Sequence, residues 1–183
     1  FGEQHESRKK INNKTKPSKK QIIDQALKSH TEGNIQEAAK YYQDLINQGF
    51  NDCRVFSNYG VILKDLGNLK DAEISLRKSI ELKQNFADAH FNLGIILKDL
   101  GNLKEAEISL RKSIKLKPDF AEASNSLGGL LINLGQYKEA EKFIRKSIKL
   151  KPNTVGAYYN LGTTLYNLGL IKEAEIYTRK AIE

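Results

Sequence analysis

Few side chains in this 183-residue sequence could do chemistry, and most of those are badly placed for it. His5, His30 and His90 are scattered, without the i, i+4 spacing that sets two imidazoles around a metal ion. Cys53 is the single cysteine, so neither an internal disulfide nor a thiolate zinc cluster can form, and nothing at fixed spacing would activate it as a nucleophile. The glycines follow a long period instead of the clustered spacing that cradles phosphate. No catalytic residue, cofactor-binding residue or metal ligand is expected, and no cofactor. What does recur is the carboxamide. Asn58, Asn92 and Asn160 share one register position, and Asn125 lies beside Ser126 where the fourth would stand. An amide carries both donor and acceptor, so amides stacked on one helical face can bond an extended peptide backbone without reading its side chains. They can equally bond neighbouring helices, and both roles are open.

The elements that position these amides are set by a period of 34 residues. Gly33, Gly67, Gly101, Gly135 and Gly169 keep it without a slip, as do Ala38, Ala72, Ala106, Ala140 and Ala174. The segments Ile62–Leu82 and Ile96–Leu116 differ only at Asp71/Glu105 and Glu81/Lys115. Each period holds two helical patterns. Tyr59, Leu63 and Leu66 share one face, and Leu69, Ala72, Leu76 and Ile80 form the matching stripe. The glycine at Gly67 suits a left-handed helix stop between them. Asn51, Asn85, Asp119 and Asn153 are expected to cap the first helices, with Asp88 and Glu122 completing near-capping boxes. Asn68/Asp71 and Asn102/Glu105 repeat that arrangement at the second helices. Gly60, Gly94, Gly128 and Gly162 sit inside first helices, where glycine costs about 1 kcal/mol relative to alanine. A close helix approach is expected to offset that cost.

These columns resemble the tetratricopeptide repeat family, from about Lys19 to Glu183. The stretch Ala157-Tyr158-Tyr159-Asn160-Leu161-Gly162, followed by Leu165, Gly169, Glu173-Ala174 and Ala181-Ile182, carries the pattern most fully. Departures are serine or threonine in some large-residue columns, Gln84 where proline is usual, and a degenerate first repeat. The resemblance implies an all-α fold: a right-handed α-solenoid of five helix-turn-helix repeats, at 19–52, 53–86, 87–120, 121–154 and a truncated 155–183, whose first helices line a concave groove. The asparagine column is similar to the ladder in the repeat arrays of O-linked N-acetylglucosamine transferase-like bacterial proteins. Other groove-facing candidates are Arg54, Lys64, Phe91, Lys98, Tyr159 and Tyr166. The lysine–asparagine clamp that some members use for a C-terminal carboxylate is not expected, because Ile23 or Ser57 and Leu27 or Val61 stand where its first pair belongs.

The expected function is therefore a binding scaffold for a protein or extended peptide, with no enzyme activity in these residues. The alternative is the substrate-recruiting region of a larger bacterial glycosyl-, methyl- or sulfotransferase. Nucleic acid is not the expected partner despite a net charge of +8. Residues 1–18 are expected to form a basic, disordered tail, and residues 1–20 carry Arg8, Lys9, Lys10, Lys14, Lys16, Lys19 and Lys20 against Glu3 and Glu6, a net of +5 within the +8. The ladder Arg77-Lys78, Arg111-Lys112, Arg145-Lys146 and Arg179-Lys180 follows Glu73, Glu107, Glu141 and Glu175 by four, reading as paired outer surface. No apolar stretch is long enough to span a bilayer, and a reducing, cytoplasmic setting is expected. Methionine is absent even at position 1, so a longer parent polypeptide is expected. The last repeat lacks a polar capping helix, which leaves self-association or a downstream domain as the expected use of that end.

Overall fold

The computed structural model describes residues 18–182; the expected basic tail lies outside them, apart from Ser18. Among the described residues there are ten helices and no strand. In order they are α1 Lys19–Thr31, α2 Ile35–Asn47, α3 Cys53–Asp65, α4 Leu69–Leu82 and α5 Ala87–Asp99. They continue as α6 Leu103–Leu116, α7 Ala121–Asn133, α8 Tyr137–Leu150, α9 Val155–Asn167 and α10 Ile171–Lys180. Each odd-numbered helix packs on the even-numbered helix after it and on the one before it. The odd-numbered helices also touch one another in succession, α3 with α5, α5 with α7 and α7 with α9. This is the neighbour-only contact pattern of an α-solenoid, with the odd helices on the inner side.

The turns within pairs follow directly from glycine. Gly33, Gly67, Gly101, Gly135 and Gly169 have φ between +71° and +82°. At the second, Gly67 N donates to Lys64 O at 2.8 Å and Asn68 N to Leu63 O at 2.8 Å, which is the paired bonding of a Schellman stop. Gly49, at φ +74°, ends α2 the same way, with Phe50 N on Leu45 O at 3.0 Å.

The start signals are less regular. At α1 the capping box is complete: Gln21 N bonds Ser18 Oγ at 3.3 Å and Ser18 N bonds Gln21 Oε1 at 2.7 Å. Elsewhere the expectation needs correcting. Asp52, not Asn51, caps α3, through Arg54 N at 2.8 Å. The cap positions of α5, α7 and α9 are Phe86, Phe120 and Thr154, one residue beyond the expected Asx residues, and none makes a side-chain cap bond. Asn68 and Asn102 do occupy cap positions, but with ψ near +60° their amides do not bond the first turn.

The core is a continuous apolar stripe. Leu63, Leu76, Leu97, Leu110, Leu131, Ile144 and Leu165 are buried in one cluster, with the alanine column from Ala72 to Ala174 between them. Ile22, Ala26, Tyr42, Leu45, Val55 and Ile62 form a second, and Tyr59 packs against both. The internal glycines are forced by this packing. A Cβ on Gly60 or Gly94 would lie 2.7 Å from the Cγ of Leu76 or Leu110 and 3.2 Å from a carbonyl oxygen of the alanine column. On Gly128 it would meet Ile144, and on Gly162, Thr178. Buried serines serve the same approach. Ser79 Oγ donates to Cys53 O at 2.6 Å and Ser147 Oγ to Ala121 O at 2.8 Å, tying α4 and α8 to the starts of α3 and α7.

Candidate binding groove

The inner face is built from the exposed columns of α3, α5, α7 and α9, and the structure divides the expected residues among several places along it. Lys64, Phe91 and Asn92 come together. With Gly60, Val61, Leu76, Ile95 and Ile96 they line a recess of about 270 Å³ between α3 and α5. Its walls are apolar, with an ammonium and a carboxamide at the edge, a composition suited to a peptide side chain next to a main-chain amide. Phe91 is fixed by Phe120, with ring centroids 4.9 Å apart. Lys64 lies 3.4 Å from Asp65 and Lys98 lies 3.7 Å from Asp99, so each base carries an acid beside it. Arg54 makes a two-pronged bond to Asp52, at 3.1 and 2.8 Å. That guanidinium holds the Asp52 carboxyl below the usual carboxylate range.

The asparagines do not act alike. Asn58 Nδ2 donates to the Tyr42 hydroxyl of α2 at 3.1 Å. Burial pushes that phenol up, and the amide contact partly opposes the shift. Asn160 Nδ2 donates to Asn125 Oδ1 at 3.0 Å, joining α9 to α7. Asn92 has no side-chain hydrogen bond to any of the described residues. Tyr159 and Tyr166 are 61% and 65% exposed, and line an open cavity of about 750 Å³ on the α9–α10 pair with Gly162 and Thr163, the register equivalents of Gly60 and Val61 in the recess. The structure therefore places them away from the recess on α3 and α5.

Two inner-face features were not anticipated from the sequence. Gly129 stands where other repeats have Val61, Ile95 and Thr163, and a Cβ there would meet only Asn160 Nδ2, at 3.6 Å. Gly156 is similar, with Asn125 Nδ2 at 3.9 Å. Neither glycine is demanded by packing, so the groove floor drops beside the Asn125–Asn160 pair. The signal was present as a second glycine beside the packed Gly128.

On the outer face, the first three arginines of the ladder each bond two acids, and Arg179 bonds Glu175 of its own helix. Arg77 reaches Glu73 at 2.8 Å and Glu105 at 2.7 Å. Arg111 bonds Glu107 at 2.8 Å and Glu139 at 2.9 Å, and Arg145 bonds Glu141 at 2.7 Å and Glu173 at 3.2 Å. The first acid of each set is the expected i, i+4 partner; the second, from the next repeat, went unrecognised. Among the described residues no helix is long and apolar enough to cross a membrane, and no cluster of His, Cys, Asp or Glu could hold a metal ion.

Comparison with known proteins points one way. Two family models described as tetratricopeptide repeat match residues 54–86 and 75–108, and one described as anaphase-promoting complex, cyclosome, subunit 3 matches 99–181. None of these is a transferase domain. No curated protein matches by sequence. Among solved structures, that of MamA is 27% identical, covers 86% of this chain and 92% of its own, and superposes with a TM-score of 0.76. That of Pseudomonas aeruginosa pilF has a TM-score of 0.81 at 18% identity, covering 90% of this chain and 75% of its own. YrrB, described as a TPR protein with an unusual peptide-binding site, has a TM-score of 0.71 at 21% identity, covering 90% and 85%. Repeat register, glycine stops, neighbour-only packing and family models agree: the chain belongs to the tetratricopeptide repeat family and folds as an α-solenoid scaffold.

Proposed function

We propose that the chain binds an extended peptide segment of another protein along its inner face, in a cytoplasmic setting in keeping with its lone thiol. The repeat units on this reading are 19–52, 53–86, 87–120, 121–154 and 155–183. The observation that carries the proposal is the recess on α3 and α5, where Asn92 offers an amide unused by the described residues beside Phe91 and Lys64. Gly129 supports it, since a helix-interior glycine that packing does not require costs about 1 kcal/mol and opens room for a ligand backbone. YrrB, of the same fold, is described as having a peptide-binding site. The test is affinity capture with wild type, Asn92→Ala and Gly129→Val proteins, each checked for an unchanged helical spectrum. A partner recovered by wild type and lost by both variants is expected. Equal recovery by all three would reject inner-face binding.

A second reading rests on the face of α9 and α10 turned away from the rest of the array. Tyr159, Tyr166, Ile171 and Ile182 are all exposed there, around the cavity of about 750 Å³. The corresponding face of α1 presents Gln21, Gln25 and Lys28 where α3 buries Val55 and Ile62 and packs Tyr59 against its neighbour. Head-to-tail stacking would thus set apolar against polar surface, whereas two α9–α10 faces match each other. Light scattering across concentration should show a dimer that Ile182→Lys abolishes; mass independent of concentration would refute it.

A further inference from the structure

One column of the second helices reads Ser75, Ser109, Phe143, Tyr177, and it decides whether the outer groove between successive second helices is filled or empty. In α8, Phe143 fills it beneath Arg111, whose guanidinium carbon lies 5.5 Å from the ring centroid. In α10, Tyr177 does the same beneath Arg145 at 5.4 Å, and its hydroxyl accepts from Arg145 Nη1 at 3.2 Å. Each guanidinium is held over its ring by the acid of its own helix and the acid of the next.

Between α4 and α6 the same frame exists without the ring. Arg77 is pinned by Glu73 and Glu105 as Arg111 is by Glu107 and Glu139. Ser109 stands where Phe143 and Tyr177 stand later. The result is a groove of about 590 Å³, with Ile80, His90 and Leu93 beneath it and Ile108, 68% exposed, among its lining residues. The groove between α2 and α4 is also unfilled, at about 460 Å³, but there Gln43 replaces the arginine.

We infer that the outer groove between α4 and α6 is a docking site for an aromatic side chain, tyrosine above phenylalanine, presented by a partner polypeptide. The chain's own later repeats show what such a groove holds. Complementarity of charge sets the preference: a guanidinium fixed over an apolar floor faces the negative face of a ring, and an aliphatic side chain offers it nothing. Tyrosine adds an acceptor hydroxyl, as Tyr177 does for Arg145. This surface lies on the opposite side of the array from the inner recess, so the two sites can be occupied together.

The probe is N-acetyl-tyrosinamide, with N-acetyl-leucinamide as control, titrated into protein carrying labelled isoleucine methyls. Saturable shifts at Ile80 and Ile108 are expected with the tyrosine probe and not with leucine. Ser109→Phe, which copies the arrangement at Phe143, should abolish them. Arg77→Gln, which copies Gln43 in the preceding groove, should weaken the tyrosine probe about tenfold and remove its advantage over leucine. Absence of saturable shifts, equal response to leucine, or an undiminished response in either variant would overturn the inference. If Ser109→Phe does not fold, the Arg77→Gln comparison decides alone.

Discussion

At the scale of single residues, adjacent glycines make opposite predictions. Gly128 is fixed by Ile144, so Gly128→Ala overpacks the junction of α7 and α8 and should destabilise by about 1–3 kcal/mol. Gly129 faces open space except for Asn160 Nδ2 at 3.6 Å, so Gly129→Ala should stabilise by up to about 1 kcal/mol. Urea unfolding of the two variants measures both; changes of the same sign would contradict the packing argument. The buried serines separate similarly. Ser113 Oγ has no partner, unlike its counterparts Ser79 and Ser147. Ser113→Ala should be neutral or stabilising, and Ser147→Ala should cost about 1 kcal/mol. The first of these contrasts was half legible in the sequence, which shows two glycines but not that only one touches a neighbour. The amide column was legible as a register and not as bonding: Asn58 and Asn160 find Tyr42 and Asn125, 16 and 35 residues away. Such contacts depend on how helices cross, which no local spacing encodes.

At the scale of elements, the glycine stops could be read off the sequence because a positive φ is a property of one residue. Helix starts could not. The expected Asx caps lie one residue early at four helices, and phenylalanine or threonine holds three of the true positions, where tertiary packing sets the entry of the chain. The half of the arginine ladder that joins repeats was missed because its partners are 28 residues apart, outside any helix-surface rule. That ladder has a pH signature. Hydrogen bonding from Arg111 holds Glu139 below the usual carboxylate range in the folded state, and hydrogen bonding from Lys151 does so for Glu122. A carboxyl whose folded value is lowered contributes stability that is present above its unfolded value and lost as pH falls through the folded one. Stability should therefore decline on acidification below the ordinary carboxylate range. Arg111→Gln should flatten that decline, with a loss at neutral pH of at most about 1 kcal/mol because the pair is partly exposed. Thermal melts at several pH values test this; an unchanged slope in the variant would count against the ladder.

At the scale of the whole molecule, stability is a sum of pair terms and junction terms, since no helix touches beyond its near neighbours. The pairs in the middle have junctions on both sides, while α10 packs only on helices before it, on α9 and, through Tyr177 and Glu173, on Arg145 of α8. Native-state hydrogen exchange should show strongest protection in α5–α8 and weakest in α10, whereas uniform protection would mean that the array opens as a single unit. The fold class was legible in the sequence because periodicity survives any detail of packing. The grooves were not, because whether Ser109 leaves a space or Phe143 fills one is visible only once Arg77 and Arg111 stand over them.

The near-identity of Ile62–Leu82 and Ile96–Leu116 also bears on inheritance. Two almost equal stretches one repeat apart let the coding sequence recombine out of step. Loss of residues 69–102 would join Asn68 to Leu103, the same dipeptide as the one removed, taking out α4 and α5, leaving every other helix whole and setting α3 against α7 in place of α5. The shortened product should fold, and the surface it offers a partner would change in whole-repeat steps. For this scaffold, span is a quantity that changes in units of one 34-residue repeat.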